Sequence, residues 1–425
     1  MTASAFDVSM YPWRTTPPPG WRIQRLKRVV RLLNRRSDIP GLPYVGLENI
    51  ESRTGRWLPA EEAVTEESLA SSFERGDVLF GKLRPYLAKV LLTEWSGCCS
   101  SELLVLRPTG VLPEFLRYTL LAEETIRLVN SSTFGTKMPR ADWTFIGRVV
   151  IPTPDTTVQR RIVTFLDRKT AAIDALIAKK ERLIELLQER RQALITQAVT
   201  KGLDPNVPMK DSGVEWLGET PAHWDVSPLK RGWTVIDCKH RTVPFVDEGI
   251  PVASIGEVQD LELDLGEAKR TIRAEFLQLI EGGRRPRVGD IIYSRNATVG
   301  AAAFVATSEE FCMGQDVCLI RSERQDQRFL VFQLRSRSVM AQLDAEMVGA
   351  TFKRINVSQI SELLICIPPQ AEQNEIAGFC DDVYLRTSRA ISTLSRQIDA
   401  IREYRQTLIS AAVTGKIEVS TEEAT

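Results

Sequence analysis

Two loops of the sequence combine basic side chains with aromatic or small polar ones, a pattern that suits contact with a nucleic acid. Each loop follows a Gly-Asp turn and an apolar strand, once in each half of the chain. The candidates are Lys82, Arg84 and Tyr86 in the first loop and Arg295, Asn296 and Thr298 in the second. Arg and Asn carry paired hydrogen-bonding groups that match the edges of guanine and adenine in the major groove. An ordinary solvated loop contains the same residue types, so these residues alone do not distinguish a DNA-binding loop from a surface loop.

Three further basic stretches are candidates for contacts with phosphates or base edges. Two of them follow a glycine, Gly135 or Gly349, at matching places in the two halves, and the third is a short basic step. The residues are Lys137 and Arg140, Lys353 and Arg354, and Lys239 and Arg241. Simple surface charge explains each of them equally well. Because 55 basic and 55 acidic residues cancel over the chain, only a local concentration of charge could attract nucleic acid.

The sequence lacks the residue sets of most catalytic centres. Only His223 and His240 are present, which argues against a histidine-based triad or a histidine-rich metal site. One nuclease-like pattern exists, Asp155 followed by Asp167 and Lys169. It places Asp167 and Lys169 inside a helix, whereas a magnesium site of that type needs them on a strand beside the first carboxylate. We therefore expect no catalytic residue, metal or cofactor in this chain.

The composition is that of an ordinary globular protein, with 43% apolar and 26% charged residues. No apolar run approaches the roughly 18–20 residues of a membrane span, and the N-terminus does not resemble a secretory signal. The seven cysteines form an odd set without CxxC pairs, which favours reduced thiols. We expect a cytoplasmic protein without a membrane partner.

Two long helices must position the candidate loops, and their sequences repeat each other. Residues 159–200 have no Pro or Gly, are rich in strong helix formers and place apolar residues every three or four positions, as on one helix face. At about 1.5 Å per residue this segment predicts a rod of about 63 Å. Residues 373–414 repeat it at a constant offset, and ERRQALITQAVT at 189–200 corresponds to EYRQTLISAAVT at 403–414. The chain is an internal duplication, and we expect the two helices to cover each other's apolar stripe.

The segments outside the helices are duplicated as well. GDVLFGKLRPYLAKVLL at 76–92 corresponds to GDIIYSRNATVGAAAFV at 289–305, and both predict a strand, a polar loop and a second strand. The predicted fold class is α+β, with two mixed α/β domains, largely antiparallel sheets and two long α-helices. The predicted boundaries are an N-terminal arm at 1–20, a first mixed domain at 21–154, a central helix at 155–203, a linker at 204–223, a second mixed domain at 224–369, a C-terminal helix at 370–416 and a tail at 417–425.

Several motifs that are modest one by one form a specific set in this order. They are KDSGVEWLGETPAHWDV at 210–226, GDVLFGKLRPYLAKV at 76–90, the segments around Gly135 and Gly349, IPPQAEQNEI at 367–376, and the paired endings LITQAVTKGLD and LISAAVTGKIE. With them, nearly the whole chain resembles the specificity subunit of a type I restriction-modification enzyme.

This resemblance implies a non-catalytic subunit with two target-recognition domains, each reading one half of a bipartite, asymmetric target in double-stranded DNA. It implies that the long helices pair as an antiparallel coiled coil, with pseudo-twofold symmetry, and space the two domains. Two methyltransferase subunits would dock on the helices, where Arg191 and Arg405 are candidate contacts, and restriction/translocase subunits would join them. The assembled complex would be a DNA adenine methyltransferase and ATP-dependent endonuclease, whose partner subunits use S-adenosylmethionine, ATP and Mg.

Two other classes of function stay open on the sequence alone. One is an enzyme that acts on DNA by itself, a nuclease or a methyltransferase. The other is a coiled-coil scaffold without a DNA function, which burial of the loops around Arg84 and Arg295 would favour.

Overall fold

The computed structural model describes residues 18–35, 43–59, 71–135, 137–346 and 354–420. The chain divides into two compact units, Met1–Glu181 with Ser395–Thr425, and Arg182–Leu394. Each unit contains one mixed α/β domain together with one end of each long helix. Within the described residues, no helix is long and apolar enough to cross a membrane.

The elements of the first half follow one another in this order: β1 (Arg22–Arg25), α1 (Leu26–Val29), β2 (Val30–Leu33), β3 (Tyr44–Val45), β4 (Ser71–Phe73), β5 (Val78–Gly81), β6 (Val90–Leu92), β7 (Gly97–Cys99), β8 (Leu103–Pro108), α2 (Pro113–Leu121), α3 (Glu123–Ser131), α4 (Trp143–Ile146), β9 (Val150–Thr153) and the long helix α5 (Thr156–Lys201).

The second half begins with a hairpin, β10 (Met209–Asp211) and β11 (Glu219–Pro221), inside the segment that the sequence marks as a linker. The order continues with β12 (Asp225–Pro228), β13 (Thr234–Asp237), β14 (Ile250–Ala253), β15 (Arg270–Thr271), α6 (Arg273–Leu279), β16 (Ile291–Ser294), β17 (Ala302–Phe304), β18 (Cys312–Met313), β19 (Val317–Arg321), α7 (Gln327–Leu334), α8 (Arg337–Glu346), α9 (Val357–Glu362), β20 (Leu364–Ile367) and the long helix α10 (Gln370–Val413).

The four-stranded sheets of the two domains have the same topology. The first domain has a four-stranded antiparallel sheet in the order β2-β8-β5-β6, and the second has β13-β19-β16-β17 in the corresponding order. Each domain adds a three-stranded sheet with one parallel pair, β3-β7-β4 or β15-β14-β18, and a two-stranded one, β1-β9 or β12-β20. The predicted α+β class is confirmed, and the duplication extends to the strand pairing of the four-stranded sheets. The three-stranded sheets differ in their middle strand, which is β7 in the first domain and β14 in the second.

Each domain packs its core against helix residues that the duplication relates. In the first unit, Phe115 of α2 is buried in one cluster with Ile162 of α5 and Val413 of α10. In the second unit, Phe329 of α7, Ile376 of α10 and Val199 of α5 form the matching cluster. Burying a side chain of this size contributes roughly 1.5–3 kcal/mol, so each domain is joined to both helices by its own core.

Equivalent glutamines anchor the start of each long helix. Gln159 is buried, donates from Nε2 to the Pro154 carbonyl over 2.8 Å, and accepts the Leu112 amide at Oε1 over 2.8 Å. Gln373 is also buried and donates from Nε2 to the Pro368 carbonyl over 2.8 Å. A buried amide is stable only when its hydrogen-bonding groups are paired, so these bonds hold each helix start against its own domain.

Both long helices end at a glycine with a left-handed backbone conformation. Gly202 after α5 has φ +77° and Gly415 after α10 has φ +71°, the left-handed conformation that commonly ends a helix at glycine.

The long helices run antiparallel, as contacts in the first unit demonstrate. Arg405 Nε donates to Asp174 Oδ1 over 2.9 Å, and Arg402 NH2 to Glu181 Oε1 over 2.8 Å, so residue numbers rise along α5 while they fall along α10. In the second unit Arg191 donates to Ser388 Oγ over 3.3 Å.

The apolar stripe of the long helices is wider than the surface that one partner helix covers. On the apolar stripe of the long helices, Ile398 and Leu408 are buried, and Ile184, Leu187, Leu194 and Ile401 are half-buried. Leu176 and Leu183 of the same stripe stay 44% and 45% exposed. Part of the apolar surface of α5 is therefore left uncovered in each unit.

Candidate nucleic-acid interface

An ion pair braces the sheet immediately before each candidate loop. Asp77, in the turn before β5, accepts two hydrogen bonds from Arg107 at the end of β8, over 2.8 and 2.9 Å. Asp290, in the turn before β16, accepts Arg321 Nε over 2.7 Å in the same arrangement. Both carboxylates are nearly buried, and the bond to Asp77 raises the pKa of Arg107 above its ordinary value. This ion pair was not predicted from the sequence, although both copies place an Arg about 30 residues after the Gly-Asp turn.

In the first domain the structure joins two candidate segments that are far apart in sequence. The amide of Arg84 donates to the Pro139 carbonyl over 2.7 Å, and the amide of Ala141 donates to the Lys82 carbonyl over 2.9 Å. Arg140 in turn pairs with Phe134 through two backbone hydrogen bonds. Lys82, Arg84, Tyr86, Lys137 and Arg140 thus come from two segments that lie side by side.

The exposed surface of this pair of segments is basic and partly apolar. Arg84 and Lys137 are exposed, Lys82 is half-buried, and Tyr86 is 43% exposed. Two further apolar side chains, Phe134 and Met138, are 64% and 48% exposed there. Basic residues next to exposed apolar ones fit a DNA groove, in which apolar side chains contact thymine methyl groups or base steps. Neither Phe134 nor Met138 was predicted from the sequence to belong to this surface.

The first loop holds its backbone in an uncommon conformation. Arg84 has φ 49° and Ala88 has φ 48°, one on each side of a short 3-10 turn at Pro85–Leu87. A left-handed residue other than glycine costs of order 1–3 kcal/mol, and such residues concentrate at functional sites. The second loop repeats the feature at Ala297, with φ 57°.

The second domain joins its two segments at the corresponding places. The amide of Ile355 donates to the Arg295 carbonyl over 2.9 Å, and Asn296 forms a bridge with Arg354. Arg354 and Thr298 are exposed, and Asn296 is half-buried. Lys353 lies outside the described residues.

Arg295 differs from its counterpart Lys82 in where its side chain lies. It is 4% exposed, and its guanidinium is 2.7 Å from Asp237 Oδ1 and 3.3 Å from the Gln315 carbonyl. The charge is therefore neutralised inside the domain, and an internal role fits Arg295 better than contact with a base. The loop beyond it remains on the surface, since Ala297 and Thr298 are exposed.

Lys239 and Arg241 lie close to this buried ion pair, and acidic side chains accompany both. Lys239 is 2.5 Å from Glu281, and Arg241 is 2.9 Å from Glu275. Contact with a phosphate would have to compete with these carboxylates, so they are weaker candidates than Arg84 or Lys137.

Asp237, Cys238 and His240 place three potential metal-ligand atoms within 4.8 Å of one another. The guanidinium of Arg295 already pairs with Asp237, and burial raises the pKa of the Cys238 thiol to about 11. A cation is disfavoured beside a fixed positive charge and a protonated thiol. These residues fit a structural hydrogen-bonded cluster better than a metal centre.

The carboxylates of the nuclease-like pattern have separate structural roles. Asp155 caps α5 by accepting the Val158 amide over 2.9 Å. Asp167 accepts hydrogen bonds from Arg117 over 2.9 Å and from Tyr118 over 2.6 Å. Each carboxylate thus has an internal partner of its own, which argues against a shared magnesium site.

The two candidate partner contacts on the helices have different environments. Arg405 is 5% exposed and bonds to Asp174 and to the Arg53 carbonyl, over 3.1 Å to the latter. Arg191 is half-buried, with its guanidinium 4.8 Å from the centre of the Tyr384 ring. Only Arg191 retains surface through which another subunit could contact it.

Comparison with known proteins identifies relatives of one kind. The family model of the type I restriction modification DNA specificity domain matches residues 245–400. The chain is 21% identical to the EcoDI specificity subunit of Escherichia coli, over 48% of this chain and 45% of that protein. It is 23% identical to the putative MjaX specificity subunit of Methanocaldococcus jannaschii, over 95% of both chains. The match thus spans less than half the length of the first relative and nearly all of the second.

Solved structures share the fold. A chain of a type I R-M system, studied for its complex assembly and conformational transition, superposes with a TM-score of 0.74 at 19% identity, covering 95% of this chain and 100% of that one. The HsdS subunit from Thermoanaerobacter tengcongensis gives a TM-score of 0.52 at 20% identity, covering 95% and 99%. With the duplicated domains and the paired long helices, these likenesses show that the chain shares the fold of these solved structures and resembles type I restriction-modification specificity subunits in sequence.

Proposed function

We propose that each mixed domain reads one half of a bipartite target in double-stranded DNA. The observation that carries this proposal is the pairing of two candidate segments at equivalent hydrogen bonds in both domains, Lys82 with Ala141 and Arg295 with Ile355. A surface built twice from equivalent backbone contacts supports one shared task. Its exposed basic side chains suit phosphates, and those with paired donors or acceptors suit base edges.

The two half-sites differ in sequence, because the two domains present different side chains. Arg84, Tyr86 and Lys137 are exposed in the first domain, whereas Thr298 and Arg354 are exposed in the second. Direct readout depends on which donors and acceptors face each base pair. The target is therefore asymmetric.

The long helices set the number of unspecified base pairs between the half-sites. Dimeric readers place their half-sites about 34–36 Å apart, one turn of DNA, and in this protein a pair of helices inside one chain replaces the dimer contact. The exposed leucines Leu183 and Leu186 on α5, with the half-buried Arg191, form the surface on which methyltransferase subunits dock. Apolar area of this kind is characteristic of a protein interface.

The chain acts in the cytoplasm as the non-catalytic DNA-recognition subunit of its complex. Two methyltransferase subunits and restriction/translocase subunits supply the chemistry, with S-adenosylmethionine, ATP and Mg bound by them and not by this chain. The complex methylates adenines in its target and cleaves DNA in an ATP-dependent reaction.

Exchange of one domain tests this function. The chain is co-expressed with its methyltransferase subunit, and methylated positions are mapped in genomic DNA. Replacing residues 20–150 by those of another specificity subunit is expected to change one half-site and to leave the other half-site and the spacing as they were. A change in both half-sites, or in neither, would reject the assignment of one domain to each half-site.

A further inference from the structure

Both domains carry a carboxylate at one equivalent position, immediately before the second strand of the four-stranded sheet. These residues are Glu102, before β8, and Asp316, before β19. Each supports the start of its reading loop through the backbone: the Lys82 amide donates to the Glu102 carbonyl over 3.0 Å, and the Arg295 amide to the Asp316 carbonyl over 2.9 Å. The carboxylates therefore lie beside the residues proposed to read DNA.

In the first domain the carboxylate holds one edge of a guanidinium. Glu102 accepts Arg140 Nε over 3.1 Å and Arg140 NH2 over 2.9 Å. A guanidinium has five N–H groups in a fixed plane. With the Nε edge bound to Glu102, the edge formed by the two terminal nitrogens is the one left for a bidentate contact. The Arg140 side chain is 43% exposed, so this second edge is accessible.

In the second domain the carboxylate holds one end of an amide. Asn296 Nδ2 donates to Asp316 Oδ1 over 3.2 Å, and Asn296 Oδ1 accepts the Ala297 amide over 3.0 Å. A carboxamide has two N–H groups and two lone pairs. One of each remains after these two bonds, which is the set required for a bidentate contact with adenine N6 and N7.

A negative charge at this place weakens attraction to the phosphates, because DNA binding depends on neutralising them. Two matching carboxylates so close to the basic residues therefore weaken DNA binding unless they improve it in another way. Fixing a flexible side chain before binding lowers the entropy lost on contact, and it selects which donor edge faces the base.

We propose that Glu102 and Asp316 are positioning residues for sequence reading. Glu102 fixes the orientation of Arg140 for the first half-site, and Asp316 fixes the orientation of Asn296 for the second. This inference depends on the proposed function, namely that each domain reads one half-site.

The test uses the full chain co-expressed with its methyltransferase subunit, with mapping of methylated positions. Glu102→Gln keeps the size of the side chain and removes its charge, and Asp316→Asn does the same in the other domain. The matched controls are Glu94→Gln and Asp247→Asn, at exposed acidic residues of the same domains. We expect Glu102→Gln to lower the preference for the native base about tenfold at one base pair of one half-site, within the range of a bidentate contact. Asp316→Asn should do so in the other half-site, and the controls in neither.

A double substitution separates positioning from folding. Arg140→Lys keeps a positive charge without the bidentate edge, and it should relax the same base pair as Glu102→Gln. If both act through one contact, the double variant is no more relaxed than either single variant, and all three unfold at the wild-type temperature.

Three results would overturn the inference: an unchanged base preference in Glu102→Gln, an equal loss of methylation at every sequence, or additive effects in the double variant. The domain exchange is independent of these variants. An exchange that moves one half-site while Glu102→Gln changes nothing rejects only the positioning role, and an exchange that fails rejects the reading function itself.

Discussion

Replacing Asp174 by Ser tests how the first unit holds its helix pair. Arg405 is 5% exposed, and its guanidinium bonds to Asp174 through Nε over 2.9 Å and NH2 over 3.2 Å. Removing one partner from a buried ion pair costs about 3–5 kcal/mol, because the other charge stays buried without compensation. The Asp174 side chain is 18% exposed, and the bond of Arg405 to the Arg53 carbonyl survives. We therefore expect the lower end of that range, about 3 kcal/mol.

The second unit supplies a matched control within the same chain. Ser388 is the counterpart of Asp174 in the duplication and accepts one hydrogen bond of 3.3 Å from Arg191, which is half-buried. Ser388→Ala removes only this neutral acceptor, so the expected cost is about 0.5 kcal/mol. The two substitutions affect equivalent positions and differ in whether a buried charge loses its partner.

Amide hydrogen exchange followed by mass spectrometry measures both effects locally. A loss of about 3 kcal/mol corresponds to a roughly 150-fold rise in the opening equilibrium, read from peptides that cover residues 170–178 and 401–409. The double variant Asp174→Leu with Arg405→Met should recover most of the loss, since an apolar pair of similar volume often replaces a buried ion pair without cost. A cost below about 1 kcal/mol for Asp174→Ser, or equal losses in the single and double variants, refutes the argument.

Three further predictions concern DNA binding, spacing and thiol reactivity. Lys137→Ala should weaken binding of the assembled complex to all DNA sequences and lower the slope of log K against log salt by about 1, measured by titration at several salt concentrations. Inserting four residues in each of α5 and α10, at positions that face each other, should change the number of unspecified base pairs, mapped by methylation; unchanged spacing in a folded complex contradicts the role of the helices. Iodoacetamide at pH 8 should modify Cys98 before Cys99, because Cys98 is half-buried whereas burial raises the pKa of Cys99 to about 12; in urea all seven cysteines should react alike.

The long helices and the duplication could be predicted because their signals are local in sequence. An uninterrupted three-and-four spacing and strong helix formers specify a helix without any knowledge of its partner. The repeated endings at 189–200 and 403–414 specify the copy. The strand order could not be predicted from the sequence, because the short strands pair over long sequence separations, as β2 does with β8.

Burial of individual charges could not be predicted, because it depends on residues that come from elsewhere in the chain. Arg191 and Arg405 occupy the same place in the repeat, and the facing helix decides their environment by presenting Ser388 or Asp174. Lys82 and Arg295 are equally basic in sequence. Arg295 turns inward because Asp237, at the end of β13, offers it a carboxylate.

The brace between Asp77 and Arg107, with its copy between Asp290 and Arg321, has a consequence for how this molecule changes over generations. These ion pairs lie in the sheet immediately before the loops that we propose to read DNA, so substitutions at the tips of the loops leave the sheet beneath them intact. A few nucleotide changes in the gene would then alter the half-site that we propose for one domain, while the other domain and the proposed subunit contacts persist. The proposed target sequence can therefore change without a loss of fold stability.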